Sequence, residues 1–184
     1  MLLVYYGKGK GKTTAAIGTA IRALGRGWRV LIAQFMKVWE TGERNFVKEL
    51  VKRCDQLKGR VVWINFGTKE FINPNDLGGE VFSMNVAYAY GFLKYVLPEL
   101  LRDFRPDLVV LDELGVAVHL NVVDESTAIS SARRFSGSTK PPHAIITGRY
   151  VPRPLREVAD LVTKVDEEKH YFRVVGEALE GLDL

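Results

Sequence analysis

The sequence predicts an α/β domain, with a mostly parallel sheet and helices on both faces. Three observations predict it. Short apolar runs alternate with helical patterns along the chain. A glycine- and lysine-rich turn, Gly7-Lys8-Gly9-Lys10-Gly11-Lys12-Thr13-Thr14, joins the first run to the first helical pattern. A later run, Leu108-Val109-Val110-Leu111, ends in two carboxylates, Asp112 and Glu113. The 184 residues suit a single domain over 1–184 with one sizeable core.

Leu3 to Tyr6 reads as a short buried strand. A helix follows over roughly 13–24, with Ala16, Ile17, Ala20, Ile21 and Leu24 as its core face. Gly25 is placed to end it, with Gly27 just beyond. Strand, glycine-rich turn and helix make the context of a phosphate-binding loop. Glycines let several N–H groups point at one anion, and the helix dipole adds to them. Lys12 is expected to reach the terminal phosphates, and the Thr13 hydroxyl to face Mg²⁺. The motif is one residue shorter than the usual spacing: Gly7, three residues, then Gly11-Lys12-Thr13. The plain alternative, a basic turn without a ligand, is disfavoured by the strand, the helix and the downstream acids together.

Residues 29–35 read as a second strand and Trp39 to Asn45 as a polar loop at its carboxyl end, where open α/β sheets bind ligands. Phe46, Leu50 and Val51 mark a helix over 46–53, and 61–66 a third strand. Residues 67–79 form a loop longer than most connections, which suits a working loop. A long helix is expected over 81–104, kinked or restarted at Pro98. The central strand over 108–111 then delivers Asp112 and Glu113 to the ligand edge, where an acid completes a Mg²⁺ shell beside a phosphate loop. A helix over 124–135, a strand over 143–146 ending in Thr147-Gly148-Arg149, a short helix over 154–159 and a last strand over 161–165 complete the pattern. Arg149 reads either as a phosphate contact or as a surface ion pair. The architecture is P-loop NTPase-like, of the RecA-like kind.

Composition narrows the function. Hydrophobic residues make up 47% of the chain, and no apolar run reaches the ~18 residues of a membrane span. Met1 leads straight into the first strand, which predicts no signal peptide. Cys54 is the one cysteine, so no internal disulfide can form, and a cytoplasmic protein is expected. The net charge of +4 includes three loop lysines, which suits a small anionic ligand. No basic run with interleaved aromatics suggests nucleic acid. His119, His143 and His170 are too scattered for a metal cluster.

With these segments in view, the chain resembles the phosphate-loop type of ATP:corrinoid adenosyltransferase, which acts on cob(I)alamin or on cob(I)yrinic acid a,c-diamide. The resemblance covers almost the whole chain. It rests on the shortened loop with Ala15-Ala16 after it, Gln34-Phe35-Met36-Lys37, Gly42-Glu43-Arg44-Asn45, Val109 to Glu113, Ile145 to Arg149, Ala159-Asp160 and Lys169-His170. It implies transfer of the 5′-deoxyadenosyl group of ATP to Co(I), with tripolyphosphate as leaving group. It also implies Mg²⁺, with Mn²⁺ as a substitute, a homodimer and a reductase that supplies Co(I). Neither nucleic acid nor membrane is an expected partner.

Residue by residue, the resemblance assigns the phosphate grip to Gly9–Thr14. Gly7 and Lys8 open the same loop. Thr13 and Glu113 are assigned to the metal, with Asp112 beside them. Lys12 and Arg149 then join the loop N–H groups in holding the departing charge. Two departures stand out. Lys8 replaces a usual asparagine, and Gly67-Thr68-Lys69-Glu70-Phe71 replaces a usual Gly-Phe-Thr-Trp segment of the corrinoid loop. Phe71 is therefore the expected corrinoid contact, with no tryptophan after it. Two other readings stay open at this point: a P-loop ATPase in which Glu113 orients water, and a nucleotide- or corrinoid-binding module without catalysis.

Overall fold

A computed structural model describes residues 1–73 and 77–183 of the chain. Pro74, Asn75 and Asp76 of the expected 67–79 loop, and Leu184, lie outside the described residues.

Six strands form one sheet in the order β3-β2-β4-β5-β1-β6, every pair parallel. They are β1 (Leu2–Tyr6), β2 (Val30–Phe35), β3 (Val61–Phe66), β4 (Leu108–Asp112), β5 (His143–Gly148) and β6 (Leu161–Lys164). β2 and β4 are buried along their whole length, as near-continuous apolar runs require when both sheet faces are covered. β6 is an exposed edge strand of four residues.

Helix α1 (Lys12–Gly25) packs Ala16, Ile17, Ala20, Ala23 and Leu24 against Val30, Ile32, Leu108, Val110 and Ile145 on one face. The expected Ile21 is 44% exposed, and Ala23 takes its place in the core. The other face carries the larger core: Leu31, Ala33, Phe35, Val109, Leu111 and Ile146 meet Phe92, Leu93, Leu97, Leu114, Val118 and Phe135.

The expected long helix runs from Glu80 to Asp103 as α3 (Glu80–Gly91), a π turn over Phe92–Val96, and α4 (Leu97–Asp103). Pro98 lies in the first turn of α4. A proline donates no hydrogen bond to the preceding turn, so the helical register widens just before it.

Helix α2 (Gly42–Arg53) starts four residues before the expected position. The Gly42-Glu43-Arg44-Asn45 stretch is thus the first turn of a helix, with Thr41 at the N-cap position and the Asn45 N–H bonded to Thr41 O. Phe46, one of the apolar positions that mark the helix, is 57% exposed, and Val47 is buried instead.

Three further helices contribute to the larger core: α5 (Leu114–His119), α6 (Glu125–Ala132) and α7 (Arg153–Glu157). The Asp124 side chain caps α6, accepting from the Thr127 N–H at 2.8 Å and also from Tyr90 Oη on α3. One turn, α8 (Phe172–Val175), follows β6. No helix among the described residues is long and apolar enough to cross a membrane.

Candidate active site

The turn after β1 leaves the sheet at Gly7, whose φ of 122° a side chain rarely adopts. A Cβ there would sit 2.3 Å from Val165 O. The Gly9 N–H donates to the same carbonyl at 2.8 Å, and the Val165 N–H donates to Tyr6 O at 2.7 Å. The chain after β6 thus braces the turn from outside. Gly11 caps α1 in the left-handed region, and no side chain caps that helix. The first-turn N–H groups of a 14-residue helix therefore open into the cleft, as an anion site requires.

The cleft has a volume of about 530 Å³. Lys10, Gly11, Lys12, Thr13 and Thr14 form one wall, and Lys37, Glu43 and Glu113 face them. Lys12 Nζ bonds back to Gly9 O at 2.6 Å. Burial holds Lys12 below the ordinary lysine value, an effect the Glu113 charge partly offsets. Lys10 reaches Leu182 O and Asp183 Oδ1, each at 2.5 Å, so the terminal stretch Gly181–Asp183 closes one side of the cleft. Nothing in the sequence pattern pointed to that stretch, because its partner is 173 positions away.

Asp112 is fully buried at the end of β4. Its Oδ1 accepts from Thr13 Oγ1 at 2.8 Å and Thr147 Oγ1 at 2.6 Å, and its Oδ2 from Gln34 Nε2 at 2.9 Å. Three donors keep this carboxylate satisfied in the interior. No spacing in the sequence marks Gln34 or Thr147 as a site residue. They meet Asp112 because β2 and β5 flank β4, with Gln34 in register with Asp112.

Glu113 follows in a left-handed conformation with φ of 62°. Its N–H donates to Thr147 Oγ1 at 2.9 Å. Burial, then the neighbouring Asp112 charge, pushes the Glu113 carboxyl up to about 7 against the pull of Lys12 and Lys37.

Thr13, Asp112 and Glu113 offer hard oxygen donors beside the helix terminus. Among the described residues no group of three or more His, Cys, Asp or Glu side chains could hold a metal by itself. This donor set fits Mg²⁺, which takes few protein ligands and completes its shell with phosphate and water.

Glu113 and Lys37 also line a second, apolar cleft of about 320 Å³, with Phe35, Met36, Trp39, Phe71, Ile72 and Leu120. Phe71 is 82% exposed, and its ring centroid lies 5.4 Å from that of Trp39. Trp39 thus stands across from Phe71, on the segment after β2. Gly67 permits this closure: with φ of 144°, its Cβ would lie 2.7 Å from Met36 Cα. Hydrogen bonds from Trp63 Nε1 to Gln34 Oε1 (3.0 Å) and Asn65 Oδ1 (2.9 Å), and from Asn65 Nδ2 to Trp39 O (3.3 Å), link the Asp112 network to this cleft. Asn85 also lines it, with Oδ1 buried and lacking a partner among the described residues.

The fold brings Lys10, Gly11, Lys12, Thr13, Thr14 and Glu113 to one cleft, with Asp112 directly behind. Phe71 lines the adjoining cleft. Gly7, Lys8 and Arg149 lie on the other side of the loop, in a third cleft. Arg149 is close enough for its charge to act on Lys12, but it does not line the phosphate cleft.

Over residues 1–184 the chain matches the family described as ATP:corrinoid adenosyltransferase BtuR/CobO/CobP. A corrinoid adenosyltransferase of Sinorhizobium sp is 31% identical over 186 residues, covering 100% of this chain and 79% of that protein. The corrinoid adenosyltransferase CobA of Salmonella typhimurium is 31% identical, covering 100% of this chain and 85% of its own. Among solved structures, the flagellar accessory protein FlaH of Methanocaldococcus jannaschii superposes with a TM-score of 0.55 at 16% identity. That likeness covers 89% of this chain and 69% of FlaH, and it supports the P-loop α/β fold alone.

Proposed function

The chain belongs to the ATP:corrinoid adenosyltransferase family, enzymes that move the adenosyl group of ATP to a corrinoid, and we propose how its two adjoining clefts share that reaction. The phosphate cleft holds the triphosphate, and the apolar cleft takes the corrinoid. The observation that carries this reading is the position of Glu113 and Lys37, which line both clefts. A ligand in each would meet at that seam.

The lone pair of Co(I), the metal centre of the corrinoid substrate, attacks the ribose C5′. The C5′–O bond breaks, its electron pair leaves with tripolyphosphate, and cobalt is oxidised to Co(III). No protein nucleophile is needed. The protein's part is to orient C5′ and to stabilise the charge that grows on the leaving oxygen. The open N–H groups of α1 and Lys12 are aimed into the phosphate cleft for that task. Lys12 would exchange its bond to Gly9 O for phosphate oxygens. Thr13, Asp112 and Glu113 would hold Mg²⁺, which neutralises phosphate charge when bound. Asp112 would keep the Thr13 hydroxyl oriented, and Arg149 would add positive potential from behind the loop.

In the apolar cleft, Trp39 and Phe71 would pack on the corrin ring, and the unmet Asn85 Oδ1 would accept from an amide of the corrinoid periphery. A homodimer, a separate reductase supplying Co(I) and a cytoplasmic setting complete the proposal, on the strength of the family resemblance.

The test is an anaerobic reaction of the protein with MgATP and chemically reduced cob(I)alamin. The expected products are light-sensitive adenosylcobalamin and tripolyphosphate in equal amounts. Orthophosphate without alkylated cobalt would overturn the proposal in favour of an ATPase.

A further inference from the structure

Apart from the potential that Arg149 would lend the loop, the third cleft has no part in the reaction as described. It is about 640 Å³ in volume and opens at the carboxyl ends of β5, β1 and β6, on the side of the loop away from α1. Lys8, Arg149, Arg153, Arg156 and Lys164 line it, against a single carboxylate, Asp166. Three of the five cations have partners: Arg153 pairs with Glu157 at 2.7 Å, Lys164 with Asp166 at 2.6 Å, and Arg156 Nη1 donates to Tyr6 Oη at 2.9 Å. Lys8 and Arg149 make no ion pair among the described residues.

Arg156 Nε is buried without a partner among the described residues, the kind of unmet donor that a bound anion or water commonly completes. Lys8 lines this cleft and not the phosphate cleft. Five cations around one concave surface repel one another, and clustered anionic oxygens relieve that repulsion. Forked guanidinium groups suit carboxylate or phosphate oxygens in pairs.

We propose that this cleft is a second anion site, for a ligand carrying several carboxylate or phosphate groups, beside the nucleotide site and separate from it. Two such ligands belong to the reaction, and naming them rests on the proposed function. One is a corrinoid whose side chains are still free carboxylates. The other is tripolyphosphate on its way out of the loop.

Isothermal titration of wild type and of an Arg153→Gln/Lys164→Gln double variant tests the proposal, with MgATP saturating and free Mg²⁺ fixed. The probes are inorganic tripolyphosphate, a Co(III) corrinoid with free side-chain carboxylates, and its fully amidated counterpart. At least one anionic probe should bind the variant about tenfold more weakly, as expected for two charges lost near the ligand. The amidated probe, and MgATP titrated separately into the free protein, should bind both proteins alike. Whichever anionic probe weakens identifies the source. Unchanged binding of both anionic probes, or an equal loss for MgATP or the amidated corrinoid, would overturn the proposal. Transfer to cob(I)alamin is scored separately: no transfer with the discrimination intact would remove the proposed function and leave the anion site standing.

Discussion

The two clefts that meet at Glu113 are made of different material. The phosphate cleft is built around main chain, Lys10 and Gly11 of the turn and the open end of α1, with a carboxylate held by three donors directly behind. The apolar cleft is mostly side chain, with Phe71 and Trp39 projecting from two separate connections. The difference follows the ligands each would hold. A departing polyphosphate gains charge in the transition state, and fixed dipoles stabilise it without reorganising. A large apolar ring system needs area, which aromatic side chains supply. Damage to the first cleft should therefore slow chemistry, and damage to the second should weaken binding of one substrate.

The strongest way to break that contrast is Lys12→Ala. It should lower kcat/KM by about 10²–10³-fold, as loss of one charge-stabilising donor does elsewhere. The melting temperature should stay near wild type, because the bond of Lys12 to Gly9 O is local. Steady-state kinetics with calorimetry checks both, and near-normal turnover would sink the loop assignment.

Glu113 gives the next effect. Its carboxyl titrates near 7 in the folded chain against an ordinary value of 4.5, mainly because of burial. The native state therefore holds more protons than the unfolded chain across that window. Stability should be greatest near the lower pH, fall by up to about 3 kcal/mol as pH rises to 7, and level off above it. Urea denaturation without nucleotide or metal measures this, and Glu113→Gln should flatten the slope.

Trp39→Ala sharpens the comparison from the other side. It should raise the corrinoid KM about tenfold, the scale of one aromatic contact, and leave the ATP KM unchanged. Equal loss for both substrates would mean that Trp39 supports the fold and not the ligand. The smallest effect belongs to Asp124→Ala, distant from both clefts. Loss of the α6 cap should cost about 1 kcal/mol in chemical denaturation, with kinetics unaltered.

Much of the first cleft was legible in the sequence, and little of the second. The phosphate loop and the Asp112-Glu113 pair are local patterns whose chemistry fixes their context. By contrast, Trp39 meets Phe71 only because β2 and β3 lie side by side. Gln34 finds Asp112 only through the register of β2 with β4. Strand order sets both contacts, and no spacing along the chain encodes it. Helix α5 went unread because it starts at a left-handed glutamate and lacks a side-chain cap. The first turn of α2 was hidden by polar residues that suit a loop equally well. Ile21 fits the helical stripe of α1, but the stripe turns toward the cleft there, and Ala23 is buried instead.

The bracing of Gly9 by Val165, and of Lys10 by Asp183, has a consequence for how the protein is born. Synthesis makes this turn before β2 to β5, yet the strand and tail that steady it come after them. A nascent chain can collapse around β1 to β5 with the turn still unsupported. Competence to hold ATP should then appear late and abruptly, once β6 and the segment beyond it have docked. Chains arrested before Val165 should be compact and unable to retain nucleotide.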